Sequence, residues 1–214
     1  MTTIACVLKT GVWKNRHMTI TYSAKHVRWL KGMADKFCGA HRFVCLTDTQ
    51  IDGVETLPLK DNLPGWWSKM ELFREFQNCF YLDLDTVLVG DISEIVNHPH
   101  KFSALRNFSR TPDTKRMGSA VMAWNGDYRF LYDRFMHAPK RHMAECSSSN
   151  KWGDQGFICH ELNWAFDRFQ DLFPGQIVSY KVHCKDGVPP GASVVCFHGK
   201  PKPWDITRDW IPQL

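Results

Sequence analysis

Asp83 and Asp85 stand two residues apart at the end of an apolar run, in "CFYLDLDTVLVGD" (79–91). Side chains alternate along a strand, so the two carboxylates share one side while Leu82 and Leu84 take the other. Burying two unpaired carboxylates together is very costly. The pair therefore belongs at a strand end, in a cleft, with something positive between or above it. Two nearby carboxylates that converge with phosphate oxygens make a hard-oxygen site for Mn²⁺ or Mg²⁺. The plainer alternative is a pair that caps a turn or meets Arg and Lys side chains.

The surrounding sequence must supply the strand and its cleft. "TIACVLK" (3–9) and "RFVCLTD" (42–48) read as buried strands, and 79–91 as the third. Val27, Leu30, Ala34 and Phe37 recur every three or four residues, which predicts a helix over about 21–37. "DNLPGWWSKMELFREF" (61–76) opens with a Pro-Gly turn and predicts a helix that lines one face with Trp67, Met70, Phe73 and Phe76. Strands follow at "FSALRNF", "SAVMAWN" and "SVVCFHG" (193–199), with helices near 128–137 and around "GDQGFICHEL". Residues 138–153 read as the longest flexible loop, and the Pro- and Trp-rich tail as an irregular surface segment. Alternating strands and helices with near-continuous apolar strands predict an α/β fold, a mostly parallel sheet covered on both faces. Open sheets of this kind bind ligands at the carboxyl ends of their strands.

Two enzyme chemistries fit the aspartates. "DLDTV" satisfies the DxDx[TV] pattern of aspartate-nucleophile phosphatases, with Asp83 as nucleophile. It also satisfies the DxD of glycosyltransferases, which holds a nucleotide-sugar diphosphate through a metal. The phosphatase motif usually lies on the first strand, whereas two strands and two helices precede it here. No adjacent Asp-Asp or Glu-Asp pair follows on a later strand.

Four ordered pieces resemble the family 8 glycosyltransferases, the group that includes glycogenin. "SKMELFREFQNCFYLDLDTVLVGDISEI" is similar to the family's lysine-bearing helix and "YLDxDxxVxxDIxxL" segment. "GSAVMAWN" (118–125) resembles "NSGVM", "GDQGFI" (153–158) resembles "DQGxLN", and "FHGKPKPW" (197–204) resembles "HFxGxxKPW". Two departures stand out: Gly118 replaces an Asn, and His198 lies only four residues before Lys202.

The resemblance implies a single GT-A-like domain over residues 1–214, with a Rossmann-like sheet, moving a hexose from a nucleotide sugar, a UDP sugar first among them, with retention at the anomeric carbon. It implies that Asp83 and Asp85 hold Mn²⁺ (or Mg²⁺) or the ribose, with His198 as third protein ligand. It implies that Gly199 lets the backbone approach the diphosphate and that Lys200 or Lys202 clamps it. Lys69 would lie near the donor phosphates or sugar, and Leu8, Lys9 and Thr10 around the nucleotide base. Asp154 or Gln155 would bind sugar hydroxyls or stabilise an oxocarbenium-like state. Trp66 and Trp67 could wall the sugar or simply pack in the core.

Composition narrows the setting. Lys and Arg exceed Asp and Glu by 27 − 22 = 5 in 214 residues, a mild excess that solvated surface explains as well as a phosphate-bearing ligand. None of the eight cysteines forms a CxxC pair. Buried free thiols in a reducing cytoplasm account for them better than disulfides or zinc. No signal peptide opens the chain, and no apolar run approaches the roughly 20 residues of a membrane span. A soluble sugar or a protein is then the expected acceptor. A modified base in DNA is a minority reading that would use Arg106, Arg110, Lys115, Arg116 and 140–142. A non-catalytic module for nucleotide sugars or nucleic acid is a third class, disfavoured by the intact Asp83, Asp85, Asp154 and His198.

Overall fold

Five of the six apolar runs expected as strands contribute to one seven-stranded sheet, while the last of them, 193–199, falls in a smaller one. The computed structural model describes residues 2–14, 19–108, 116–147 and 153–214. Its elements in chain order are β1 (Thr3–Leu8), β2 (Trp13–Lys14), β3 (Thr19–Ile20), α1 (Ala24–Phe37), β4 (Arg42–Thr47) and β5 (Glu55–Pro58). A 3-10 helix (Gly65–Glu71) follows, then α2 (Leu72–Glu75), β6 (Asn78–Leu82), β7 (Thr86–Leu88), α3 (Ser93–Asn97), β8 (Phe102–Arg106) and β9 (Met117–Asn125). The last are α4 (Arg129–His137), α5 (Pro139–Cys146), α6 (Asp154–Glu161), β10 (Asp167–Arg168), α7 (Phe169–Leu172), β11 (Ile177–Ser179), α8 (Tyr180–His183), β12 (Val194–Cys196) and a 3-10 turn (Pro203–Asp205).

The large sheet has the order β10-β8-β9-β6-β1-β4-β5. β9 alone runs against its neighbours, and the other pairs are parallel, so the expected mostly parallel α/β sheet is what forms. Alternation along the strands divides the core into two layers. Ile4, Cys6, Leu8, Phe43, Cys45, Phe80 and Leu82 face α1 and a small sheet of order β11-β12-β7. Ala5, Val44, Leu46, Cys79 and Tyr81 face the other way, against Trp67, Met70 and Phe73 and against Phe135, Phe157 and Ile158 of α4 and α6. All eight cysteines are buried thiols. Among the described residues no helix is long and apolar enough to cross a membrane.

Several boundaries differ from expectation, each for a local reason. The run 79–91 is not one strand: a turn closed by the Thr86 N–H on the Asp83 carbonyl at 3.0 Å breaks it, and β6 and β7 belong to different sheets. The expected helix over 61–76 is a seven-residue 3-10 helix capped by Pro64, followed by one α-turn. Its Trp67, Ser68, Lys69, Met70 and Glu71 are all buried, so it is enclosed all round and has no solvent face. Part of the expected 138–153 loop is α5, begun by Pro139 at the first helical turn; residues 148–152 lie outside those described. The final strand is shorter than 193–199, and His198 lies beyond its end. The tail packs as expected: Trp204 meets His26 with ring centroids 4.4 Å apart, and the Trp29 indole donates to the Pro212 carbonyl at 3.0 Å.

Candidate active site

The break between β6 and β7 sends the two aspartates to different partners, and each partner is a buried lysine. Asp83 follows β6, and its backbone N–H bonds the Ala120 carbonyl on β9 at 2.8 Å. Its Oδ1 meets the Lys69 ammonium at 2.9 Å and accepts from the Tyr81 hydroxyl. Tyr81 and Asp83 are two residues apart, so they share one side of the strand.

Lys69 also reaches Asp154 Oδ2, at 3.3 Å, and Ser119 Oγ, at 3.3 Å. Ser119 Oγ in turn donates to Asp154 Oδ2 at 2.7 Å. Lys69 is 6% and Asp154 5% exposed, so this ion pair is internal. Burial alone would pull the Lys69 pKa down; the charges of Asp154 and Asp83 overcome it, and the net shift is upward. Gln155 stands beside Asp154 and accepts weakly from the Ser119 backbone N–H, at 3.4 Å.

Asp85 is bound by Lys202, whose ammonium donates to Oδ2. The two are 5% and 8% exposed. The Tyr22 hydroxyl is close enough to feel both carboxylates: its pKa is pushed up by burial and by the charges of Asp85 and Asp83. Burial raises the Asp85 pKa, Lys202 opposes that shift, and the nearby Asp83 adds to it. Lys202 is held from behind by its backbone N–H on Asp205 Oδ2 at 2.9 Å. Gly199 has φ of 70°, a conformation that suits glycine, and turns the chain between β12 and this lysine. Of the two lysines named from the sequence, Lys202 is inside the cluster and Lys200 is exposed.

His198 lies apart from the acidic pair in its contacts. The antiparallel register sets Cys196 opposite Thr86, so β12 does return the chain to the acidic turn. The ring is then held by Ser179, with Oγ 2.8 Å from Nε2, and stacks on Phe108 at 6.3 Å between centroids. Loss of solvation lowers its pKa, and the charges of Lys181 and Lys202 lower it further. Among the described residues no three His, Cys, Asp or Glu side chains stand together as a metal-holding group. With Lys202 on Asp85 and Ser179 on His198, the expected Asp83, Asp85 and His198 ligand set for Mn²⁺ or Mg²⁺ does not fit as arranged.

The expected nucleotide end is a polar cluster at the carboxyl ends of β1 and β4. Lys9 Nζ lies 2.8 Å from Asp48 Oδ2 and 2.9 Å from Asn62 Oδ1, and the Thr10 N–H donates to Asp48 Oδ1 at 3.0 Å. Burial opposes ionisation of Asp48, but its bonds with Lys9 and Thr10 prevail and lower its pKa. Leu8 has a fully buried side chain in the core, which leaves only its backbone for a ligand. Trp67 stacks on Phe135 at 5.2 Å and belongs to the core.

Gly153 fixes where Asp154 begins α6. Its φ of 70° and ψ of −145° lie in a region open essentially to glycine. A Cβ there would sit 2.8 Å from the Trp66 indole nitrogen. Gly153→Ala is expected to cost about 1–3 kcal/mol, a fall of roughly 2–10 °C in melting temperature for a chain of this size. Circular-dichroism melts check this; an unchanged midpoint would mean that the turn can relax without strain.

Tyr22, Tyr81, Ser119, Asp48 and Asn62 were not singled out in the sequence. Tyr81 was findable, since alternation puts it on the side of Asp83. Ser119 needs the pairing of β6 with β9, in which Leu82 stands opposite Val121, and Tyr22 carries no local signal.

By sequence the chain matches no protein-family model and none of the curated proteins. Its fold matches solved glycosyltransferases. The glycosyltransferase GlyE of Streptococcus pneumoniae TIGR4 aligns with a TM-score of 0.62 at 11% identity, over 95% of this chain and 57% of that one. The chain thus spans little more than half of the GlyE chain. An active-site mutant of LgtC gives 0.61 at 11% identity, over 98% of this chain and 91% of LgtC. The galactosyltransferase LgtC in complex with donor and acceptor sugar analogs gives 0.60 at 12% identity, over 97% and 90%. At this identity the likeness is one of fold, the GT-A-like architecture expected from the sequence.

Proposed function

We propose that the chain transfers a glycosyl group, most simply a hexose, from a nucleotide sugar such as a UDP sugar to a hydroxyl acceptor. One observation carries the reading: Asp83, about a quarter exposed, and buried Asp154 share the Lys69 ammonium, and buried Asp85 pairs with Lys202 within reach of their charges, in a fold shared with glycosyltransferases. Buried charge of this density is retained where it meets a charged or polyhydroxylated ligand. The LgtC complex, with donor and acceptor sugar analogs, supports the same class of ligands.

In this reading Lys9, Thr10, Asp48 and Asn62 receive the base and ribose, and Lys200 and Lys202 face the diphosphate. Asp83, oriented by Lys69 and Tyr81, accepts from a ribose or sugar hydroxyl. Asp154 stands by the anomeric carbon, where its negative charge favours the positive charge that develops as the leaving group departs. The C1–O bond breaks with its electron pair on the diphosphate, and the acceptor oxygen bonds C1. The acceptor proton passes to the departing phosphate oxygen, on the same face, which retains the configuration.

Soluble sugars and proteins are the acceptor classes to try first. Of the basic positions that could favour a DNA base, Arg110 and Lys115 lie outside the described residues, Arg106 is paired with Asp171, and Arg141 meets Glu145 at 3.6 Å. The test is incubation with a panel of nucleotide sugars, with nucleoside diphosphate release followed by chromatography. Slow release from one donor, accelerated by the right acceptor, is the expected result. Hydrolysis of phosphate monoesters without use of any nucleotide sugar would replace the transferase reading with the phosphatase one.

A further inference from the structure

We infer that Lys202 is a built-in cation: its ammonium takes the place on Asp85 that a divalent metal would need, so nucleotide-sugar binding by this chain does not require Mn²⁺ or Mg²⁺. The inference rests on the nucleotide-sugar reading above and concerns the source of positive charge in that same site.

The contact is built from several directions. Lys202 and Asp85 are both more than nine-tenths buried and bonded to each other. The Tyr22 ring lies 5.8 Å from the ammonium. Trp204, two residues beyond Lys202, packs edge-on against Tyr22 at 5.8 Å and against His26 at 4.4 Å. Asp205 fixes the lysine backbone. The side chain is thus set against a wall of aromatic rings with one carboxylate in reach, unlike a long lysine sweeping through solvent.

Charge and spacing agree with this placement. Only three residues separate His198 from Lys202, and the turn at Gly199 brings the second of them to Asp85 while the first stays on Ser179. A divalent cation on Asp85 would share one buried carboxylate with an ammonium group, and like charges at contact in a poorly solvated site repel strongly. The cluster of three carboxylates and two ammonium groups has one net negative charge. Lys200, two residues past His198, and Lys181, close to it in charge, are exposed and add positive charge, while Asp205 on the Lys202 backbone adds one negative charge. The chain's own lysines thus balance the carboxylates without a metal, and the Lys202 ammonium is the positive charge that a diphosphate would meet at Asp85.

The experiment uses the full chain, stripped with EDTA. Mn²⁺ uptake is read from the loss of the free-ion electron paramagnetic resonance signal, and UDP binding from tryptophan fluorescence. The native chain is expected to take up no stoichiometric Mn²⁺ and to bind UDP equally well in EDTA and in Mn²⁺. Lys202→Met should bind UDP roughly tenfold to a hundredfold more weakly in EDTA, the loss of one charge-assisted phosphate contact, and should recover part of that loss with Mn²⁺. Stoichiometric Mn²⁺ uptake by the native chain that disappears in Asp85→Asn, or UDP binding that requires Mn²⁺, overturns this inference and leaves the transferase reading standing. UDP binding in neither condition overturns the nucleotide-sugar reading and this inference with it. The native titration decides even if Lys202→Met does not fold.

Discussion

Lys69→Met is expected to destabilise the fold by about 3–5 kcal/mol, the range for removing one partner of a buried ion pair, and to lower sugar transfer by a factor of about 10²–10³. Among the described residues Lys69 is the ammonium in contact with both Asp83 and Asp154. Methionine fills nearly the same volume, so the change removes charge and leaves packing largely intact. Asp154 then keeps only the Ser119 hydroxyl of its two described partners. Asp83 retains Tyr81 and is about a quarter exposed, so water screens it and most of the penalty falls on Asp154. Because the Lys69 pKa is raised on folding, its contribution is fully present below the unfolded lysine value and is lost as pH rises through the folded one. Urea denaturation at neutral pH should therefore separate the two proteins, and their stabilities should converge only in strongly alkaline solution. The double variant Lys69→Met with Asp154→Asn should regain part of the loss, since it removes the uncompensated charge. Native stability and native transfer in Lys69→Met would show that the carboxylates do not depend on this ammonium.

How far the sequence reaches is clearest around these same residues. β1, β4 and β6 were legible because their apolar runs are buried on both faces, and a parallel sheet follows from such runs alternating with helices. The lysine-bearing segment was located correctly, but its state was not: periodicity suggested an amphipathic helix, whereas Pro64 and Gly65 start a 3-10 helix that the core encloses on every side. The acidic pair stands out in the sequence, whereas its partners do not: β6 ends at Leu82, and beyond it Asp83 meets Lys69 and Asp85 meets Lys202. The resemblance puts His198 with the acidic pair, and the β12–β7 register sets Cys196, two residues before it, opposite Thr86. Which atom its ring faces depends on Ser179, contributed by β11, and nothing in the local sequence announces that contact. Strand order and side-chain partners across 100 residues or more, such as Asp85 with Lys202 at a separation of 117, are tertiary facts without a local signature.

Asp154→Asn separates charge from shape at the point where the chemistry is placed. The substitution keeps the size of the side chain at the start of α6, and an amide oxygen can still accept from Ser119 Oγ and Lys69. The fold should lose little, because Lys69 keeps Asp83 as its counter-ion. What disappears is a negative charge, 5% exposed and so poorly screened, beside a sugar that gains positive charge as the diphosphate leaves. Removing one such preorganised electrostatic contact typically costs about 10²–10³ in turnover. Single-turnover release of nucleoside diphosphate at saturating donor is expected to fall by that factor, with donor affinity nearly unchanged, because the charge acts in the transition state more than in the ground state. Hydrolysis and transfer should fall together, since both pass through the same cationic sugar. Ser119→Ala, which loses the 2.7 Å bond but keeps the charge, should fall much less. If Asp154→Asn turns over at the native rate while Lys69→Met does not, the site works through Asp83 and the phosphate-facing lysines, and Asp154 serves only to neutralise Lys69.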